Sequence, residues 1–392
     1  MTDTTRRNLL KTTATLTAGA SLISSAQAEE IGTTRVVNSL SASGKKIEPY
    51  KASCVQTRVT PTFDKSGKFR ADALNANLDR VVKFIERGAD EVGAKLYSFS
   101  EFCLQAADGG PGVKDWMKAS LRVPGKETDR ISKAAQKAKA FVGFNTTEII
   151  PQFPDRYFLS GVILGPSGDV VLNYRKLYDL TTKSRPSDVW TEWLDKMGPE
   201  SVFPVANTEI GRLASIVALD VNWPEMARNF VFNGAEVLLN PTASPAPPGV
   251  QPPDIRTQIR RVRAYENMSY VLLSNLGPVG EDEAAPLQAR IPSEIIDYTG
   301  KALATAADGD EGFVTATIDI DALRKARTTP SSQNWLAELQ VPVHKLGYDQ
   351  AKFFPVDALA KTPLQTAKDY DPIKARVIED LLARGIIKAP GA

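Results

Sequence analysis

The chain has 392 residues, enough for one large α/β domain or two average ones. With 48 basic against 46 acidic residues its net charge is +2, which gives no electrostatic reason to expect a nucleic acid or a membrane surface as partner. A single histidine, His344, argues against His-based catalysis, and two cysteines, Cys54 and Cys103, with no CxxC pair or His cluster, argue against a structural zinc site.

The first segment reads Thr5-Arg6-Arg7-Asn8-Leu9-Leu10-Lys11, then a mildly apolar stretch, then Ala26-Gln27-Ala28. This charged, apolar, small-residue order is that of a secretory signal peptide, and its Arg pair resembles a twin-arginine signal. Cleavage after Ala28 would leave a periplasmic or secreted protein. Residues 29–48 are polar and read as a linker. No later stretch is long and apolar enough to span a bilayer. In an oxidising compartment Cys54 and Cys103 are free to pair if the fold brings them together, which the sequence leaves open.

Beyond the linker, Tyr50–Gln56 reads as a strand. Leu74, Leu78, Val81, Val82 and Ile85 then share one face of a helix, which Gly88 and Gly93 close. Lys95–Phe99 is a short strand ending in Ser100-Glu101-Phe102. A helix near residues 127–140 leads into the strand Phe141–Asn145. Tyr157–Leu164 and Val170–Tyr174 flank the turn Pro166-Ser167-Gly168-Asp169 and predict a hairpin. Residues 180–203 form a polar, Trp-containing excursion. Leu213–Leu219 is a continuous apolar run suited to a buried strand, and a helix begins near Pro224. Strand Glu236–Asn240, helix Arg256–Met268, strand Tyr270–Asn275 and a hairpin over Glu294–Ile320 complete the pattern. Alternating helices and apolar strands predict an α/β fold with layered sheets. Residues 49–328 form the main domain. Residues 329–392 are a C-terminal extension ending in a helix with Asp371 as N-cap, Pro372 in its first turn and Gly385 near its stop. That extension either packs on its own domain or serves as a subunit-contact arm.

Three segments carry chemistry when taken together. Gly93–Glu101 places a carboxylate at a strand end, where a general base is well positioned. Gly168–Leu177 delivers Lys176 at the end of a hairpin strand, where a fixed ammonium can stabilise an oxyanion. Gly211–Arg228 contains a buried strand that breaks sharply into a helix, a placement often used for nucleophiles. Singly, each has an ordinary surface or packing explanation.

In this order the three resemble the carbon–nitrogen hydrolase (nitrilase) superfamily from about Lys51 to about Arg327. Arg263–Asn267 with the strand ending at Asn275, and Ser293–Gly300 with Gly312–Ile320, resemble its later blocks. The resemblance implies a four-layer α-β-β-α sandwich and hydrolysis of amides, nitriles or related carbon–nitrogen bonds by a Glu, a Lys and a Cys. That chemistry needs no metal or other cofactor. Glu101 matches the Glu and Lys176 the Lys. The cysteine's position lies two residues before Asp220 and seven before Glu225; both counts give Ala218. Cys54 and Cys103 stand on other strands. Ser215, three residues upstream in the same strand, is expected to point to the opposite face from Ala218 by strand alternation. Glu192 is the candidate for a second glutamate supporting the lysine, with Glu200 as competitor. Leu219, Asn222 and Trp223, flanking the break, are candidate substrate-binding residues. Stretches 180–203 and 243–255 are expected to wall the pocket.

Three functions are compatible with this reading. One is a ligand-binding pseudoenzyme or very weak hydrolase for a small amide, nitrile or carboxylate. The second is a hydrolase using water activated by Glu101. The third is a regulatory or structural partner of an active paralogue. The resemblance also implies a homodimer or larger homo-oligomer.

Overall fold

A computed structural model describes residues 46–105, 112–179, 181–245, 254–281 and 290–391. The signal peptide, most of the linker and residues 246–253 of the proline-rich stretch lie outside the described residues.

The first half runs β1 (Tyr50–Gln56), α1 (Ala71–Glu91), β2 (Leu96–Phe99), α2 (Val113–Ala119), α3 (Lys126–Ala138), β3 (Phe141–Glu148), β4 (Phe158–Leu164) and β5 (Val170–Arg175). The second runs α4 (Trp190–Met197), β6 (Ala206–Thr208), β7 (Gly211–Ser215), α5 (Pro224–Phe232), β8 (Val237–Thr242), α6 (Ile255–Glu266), β9 (Tyr270–Asn275), β10 (Glu294–Ile296), β11 (Ala302–Thr305), β12 (Gly312–Ile318) and α7 (Ile320–Thr328). The extension adds α8 (Val341–Gln350) and α9 (Asp371–Ala383).

Two six-stranded mixed sheets result, ordered β12-β1-β2-β3-β4-β5 and β11-β10-β9-β8-β7-β6. In each, the inner strands are parallel (β1-β2-β3 and β7-β8-β9) and the flanking pairs antiparallel. Leu74, Leu78, Val81 and Ile85 of α1, with Ile131 and Ala135 of α3, bury against Tyr97, Phe99, Val142 and Val162 on the outer face of the first sheet. The inner faces share a core containing Ala52, Leu96, Ile163, Leu213, Leu239 and Leu272, which continues onto Phe230 of α5 and Ala264 of α6. This is the α-β-β-α sandwich the sequence implied. The sheets approach so closely that a Cβ on Gly143 would meet the Leu239 side chain and one on Gly161 would meet Ser215. A side chain at Gly161 would also crowd Ser215 Cβ and Val217, whereas at Gly143 only the end of the Leu239 side chain would have to move.

Several local readings change. Helix α1 runs through Gly88, which packs on the Tyr97 ring, and stops at Gly93, whose φ is +66°. Helix α4 lies in the 180–203 excursion, and α2 adds a helix between β2 and α3. Strand β7 ends at Ser215 rather than continuing through Leu219. The expected final hairpin is divided: β10 and β11 pair in the second sheet, while β12 crosses to pair antiparallel with β1 in the first. Asp371 is the first residue of α9 rather than its cap, because a 3-10 turn over Ala367–Tyr370 leads directly into the helix. Leu364, Tyr370 and Ile373 form a small core of the extension, and the Tyr370 hydroxyl donates to Asp188 Oδ2 at 2.7 Å, so this part packs on its own domain.

Candidate active site

Glu101 follows β2 and Lys176 follows β5, at ends of the first sheet separated by β3 and β4. Lys176 Nζ donates to Glu101 Oε1 at 2.8 Å, and each side chain is only 6% exposed. Asn145 of β3 fixes the glutamate's end. Its Oδ1 accepts the N–H of Phe102 at 3.0 Å, and its Nδ2 donates to the Ser160 carbonyl at 2.9 Å. The first of these bonds sits on a residue with φ +58°, so the backbone immediately after Glu101 is held in a left-handed conformation. On the lysine side, the backbone N–H of Lys176 bonds the Leu159 carbonyl at 2.9 Å.

After β7 the chain passes Ile216 and Val217 and enters a 3-10 turn over Ala218–Asn222. Ala218 is 6% exposed and has φ +42°, a conformation that costs an L-residue roughly 1–2 kcal/mol. Such strain persists where neighbours over-determine it. Here Asn240 Nδ2 donates to the Ile216 carbonyl at 2.6 Å, and Arg263 donates to the carbonyls of Val221 at 2.9 Å and Asn222 at 3.0 Å. Asp220 accepts the Tyr174 hydroxyl at 2.5 Å and the N–H groups of Leu177 at 3.3 Å and Tyr178 at 2.8 Å. The turn that begins at Ala218 is thus tied to the residues on both sides of Lys176. The Trp223 and Tyr178 rings stack 3.7 Å apart at 9° beside it.

The charges form one buried cluster. Burial pulls Lys176 down, but Glu101, Asp179 and Asp220 together hold its pKa above the ordinary lysine value. Asp179 Oδ2 is the second anion on this ammonium, at 3.4 Å. Burial raises the Asp179 carboxyl, yet Lys183 and Lys176 outweigh it and leave the group below its usual range. Asp220 is pushed up to about 7 by burial, against the pull of Lys176 and its three donors. A lysine held by two anions stays protonated, and the arrangement can polarise a carbonyl or steady an oxyanion next to a carboxylate able to accept a proton.

The profile of the Carbon-nitrogen hydrolase family matches residues 51–328. The chain belongs to that family. Among curated relatives, the omega-amidase NIT2 of Xenopus tropicalis is 24% identical over 281 residues, covering 71% of this chain and 91% of that protein. The formamidase of Helicobacter acinonychis is 25% identical over 243 residues, covering 61% of this chain and 66% of that protein. Among solved structures, Saccharomyces cerevisiae Nit3, of the nitrilase superfamily, superposes with a TM-score of 0.54 at 22% identity, covering 73% of this chain and 96% of that one. A cysteine-to-alanine mutant of the Nesterenkonia AN1 amidase superposes with a TM-score of 0.53 at 16% identity, covering 76% of this chain and 97% of that one. These structures establish the nitrilase-type fold.

In this member of the family the fold brings Glu101 and Lys176 into contact and links them to the turn at Ala218. Leu219 and Asn222 lie half-buried on that turn, and Trp223 follows it. Glu192 must be corrected. Its carboxylate pairs with Lys196 at 2.6 Å on the surface of α4, one helical turn away, and does not support Lys176. Glu200 lies exposed in a 3-10 turn. The acid that does reach Lys176 is Asp179, which stood three residues downstream in plain sight. Alternation along a strand does not decide the direction of Ser215 relative to Ala218, because the strand ends at Ser215. Cys54 and Cys103 are both free thiols and do not pair. Nothing local singles out Lys183, and Asn145, Asn240 and Arg263 enter the sequence reading only as members of strands or a matching block, without a role in the site. Each is an ordinary polar residue until partners distant in sequence surround it.

Proposed function

We propose that this chain is an exported carbon-nitrogen hydrolase relative that binds a small amide or carboxylate ligand and has lost thiol catalysis, with Ala218 at the nucleophile's position. The observation that carries this reading is the φ of +42° at Ala218, on a turn fastened by Asn240, Arg263 and Asp220. The strained backbone that would present a nucleophile is kept, although a methyl group has no lone pair to attack with. In a serine protease, loss of the nucleophile costs roughly 10⁶ in turnover and leaves roughly 10³–10⁴ over water from positioning and oxyanion stabilisation. Glu101 and Lys176 supply those residual elements here. The omega-amidase and formamidase relatives favour an amide among the ligand classes. The twin-arginine-like start supports export, and the exposed Val343, Leu346 and Tyr348 of α8 favour a subunit-contact role in a homo-oligomer.

The reading is tested by thermal unfolding of the native protein with a panel of small amides, nitriles and carboxylates. A melting temperature that rises with ligand concentration, without release of ammonia, is the expected result. Co-purification with an active paralogue and no ligand response would instead identify a regulatory partner and refute the binding role.

A further inference from the structure

The family profile ends at residue 328, yet the chain beyond it grips one stretch of the domain, the residues that follow Asp179. Asp357 holds the far end of that stretch. Its N–H donates to the Ser187 carbonyl at 2.8 Å, its Oδ1 accepts the Thr191 N–H at 2.9 Å and its Oδ2 accepts the Thr191 hydroxyl at 2.6 Å. Helix α4 has no side-chain cap from the residue before it, so the extension supplies an acceptor to its first turn. Nearby, the buried Arg156 donates to the Leu359 carbonyl at 2.6 Å.

Arg185 stands at the near end, also buried. Its guanidinium carbon lies 3.9 Å from the centroid of the Tyr370 ring, a face that favours the cation and sets its plane. The Tyr370 hydroxyl and the Arg185 N–H donate to the same oxygen, Asp188 Oδ2, at 2.7 and 2.9 Å. Tyr370 thus meets Arg185 directly through its ring and again through Asp188. Held in this way, Arg185 Nη2 donates to the backbone carbonyl of Asp179.

That carbonyl belongs to the acid shared by two buried lysines. Asp179 Oδ2 lies 3.4 Å from Lys176 Nζ, and Lys183 and Lys176 both favour its charged form. Its Oδ1 accepts the Thr181 N–H at 2.7 Å, so the carboxylate is tied to the backbone of its own segment. Arg185 anchors that backbone, and the extension anchors Arg185.

We propose that Arg185 is a positioning residue of the site and that the C-terminal extension is its brace. Tyr370 fixes the Arg185 guanidinium, and the guanidinium fixes Asp179 beside Lys176. The inference goes beyond the ligand-binding reading and holds whether or not a ligand is taken.

Hydrogen exchange of the full chain, read by mass spectrometry on peptides within 177–184, tests it, with peptides from β1 and β8 as reference. The Thr181 amide reports directly on the Asp179 carboxylate. Arg185→Met and Tyr370→Leu should each speed exchange over 177–184 by about 10- to 100-fold, the range for loss of a hydrogen bond to a charged group, and leave β1 and β8 at their native rates. Arg185→Lys keeps a charge and a donor under the Tyr370 ring and should recover part of the protection that Arg185→Met loses. Should either first variant not fold, Arg185→Gln and Tyr370→Phe take their places with the same outcomes. Native exchange rates in the Met variant, or equal loss in the Met and Lys variants, overturn the positioning role of Arg185. Native rates in the Tyr370 variant overturn the brace. A rise that extends equally to β1 and β8 marks a general loss of stability and overturns both.

Discussion

Lys176 and Glu101 form an ion pair at 2.8 Å with both side chains almost fully out of water. A pair so placed is coupled to folding. Separately, each charge would be stranded in a medium that solvates it poorly. Lys176→Met leaves Glu101 and Asp179 without their common cation and is expected to lower the unfolding free energy by about 3–5 kcal/mol. Urea unfolding measures this. Adding Glu101→Gln to Lys176→Met should recover part of the loss, because the two changes are coupled.

Asp220 provides the pH prediction. Burial raises its folded-state pKa from the ordinary 3.8 to about 7. Between these values the unfolded chain is ionised at this site while the folded chain retains the proton. The unfolded state therefore binds fewer protons, and stability falls as pH rises. This contribution is fully present below about pH 4 and lost as the pH passes through about 7. Relative to Asp220→Asn, the native protein should lose stability across that window and run parallel above it. A relative stability that rises over the same window would reverse the assignment.

The two thiols should be inert in the folded protein. Cys54 and Cys103 are fully buried, with Sγ contacts of 3.6 Å to the Glu294 carbonyl and 3.5 Å to the Asn145 carbonyl, and burial pushes each pKa up to about 12. Since the thiolate is the reactive form, iodoacetamide at pH 8 should add no label to the native state and two labels in urea. Rapid labelling of the folded protein, read by intact mass, would show that one of them is open to solvent.

The layered fold was legible from short-range pattern, in apolar periodicity, strand ends and a hairpin turn, whereas Glu101 and Lys176 were singled out by the order of three segments that resembles the family. Glu192 misled because the resemblance implies a second glutamate between Lys176 and Ala218, yet a lysine one turn along its own helix satisfies it locally. Asp179 and Lys183 were hidden in a stretch whose polarity reads as solvated. Lys183 lies against Phe102 and Trp116, more than 60 residues upstream, and no local signal records such a contact. The division of the final hairpin has the same origin. Strand β12 has an available partner in β10 and β11 nearby, but pairs instead along its whole length with β1, from Tyr50↔Ile318 to Gln56↔Gly312. The turn at Ala218 was located by counting from Asp220 and Glu225; its positive φ was not, since alanine carries no sequence signal for that conformation.

We propose that the site is intact apart from the thiol. Ammonia release from a panel of small amides, measured side by side for the native protein and Ala218→Cys, tests it most directly. The expected result is no turnover above background for the native protein, turnover for Ala218→Cys, and loss of that turnover when Glu101→Gln is added. A folded Ala218→Cys that stays silent on amides the native protein binds, or a native protein whose turnover disappears with Glu101→Gln, would contradict it.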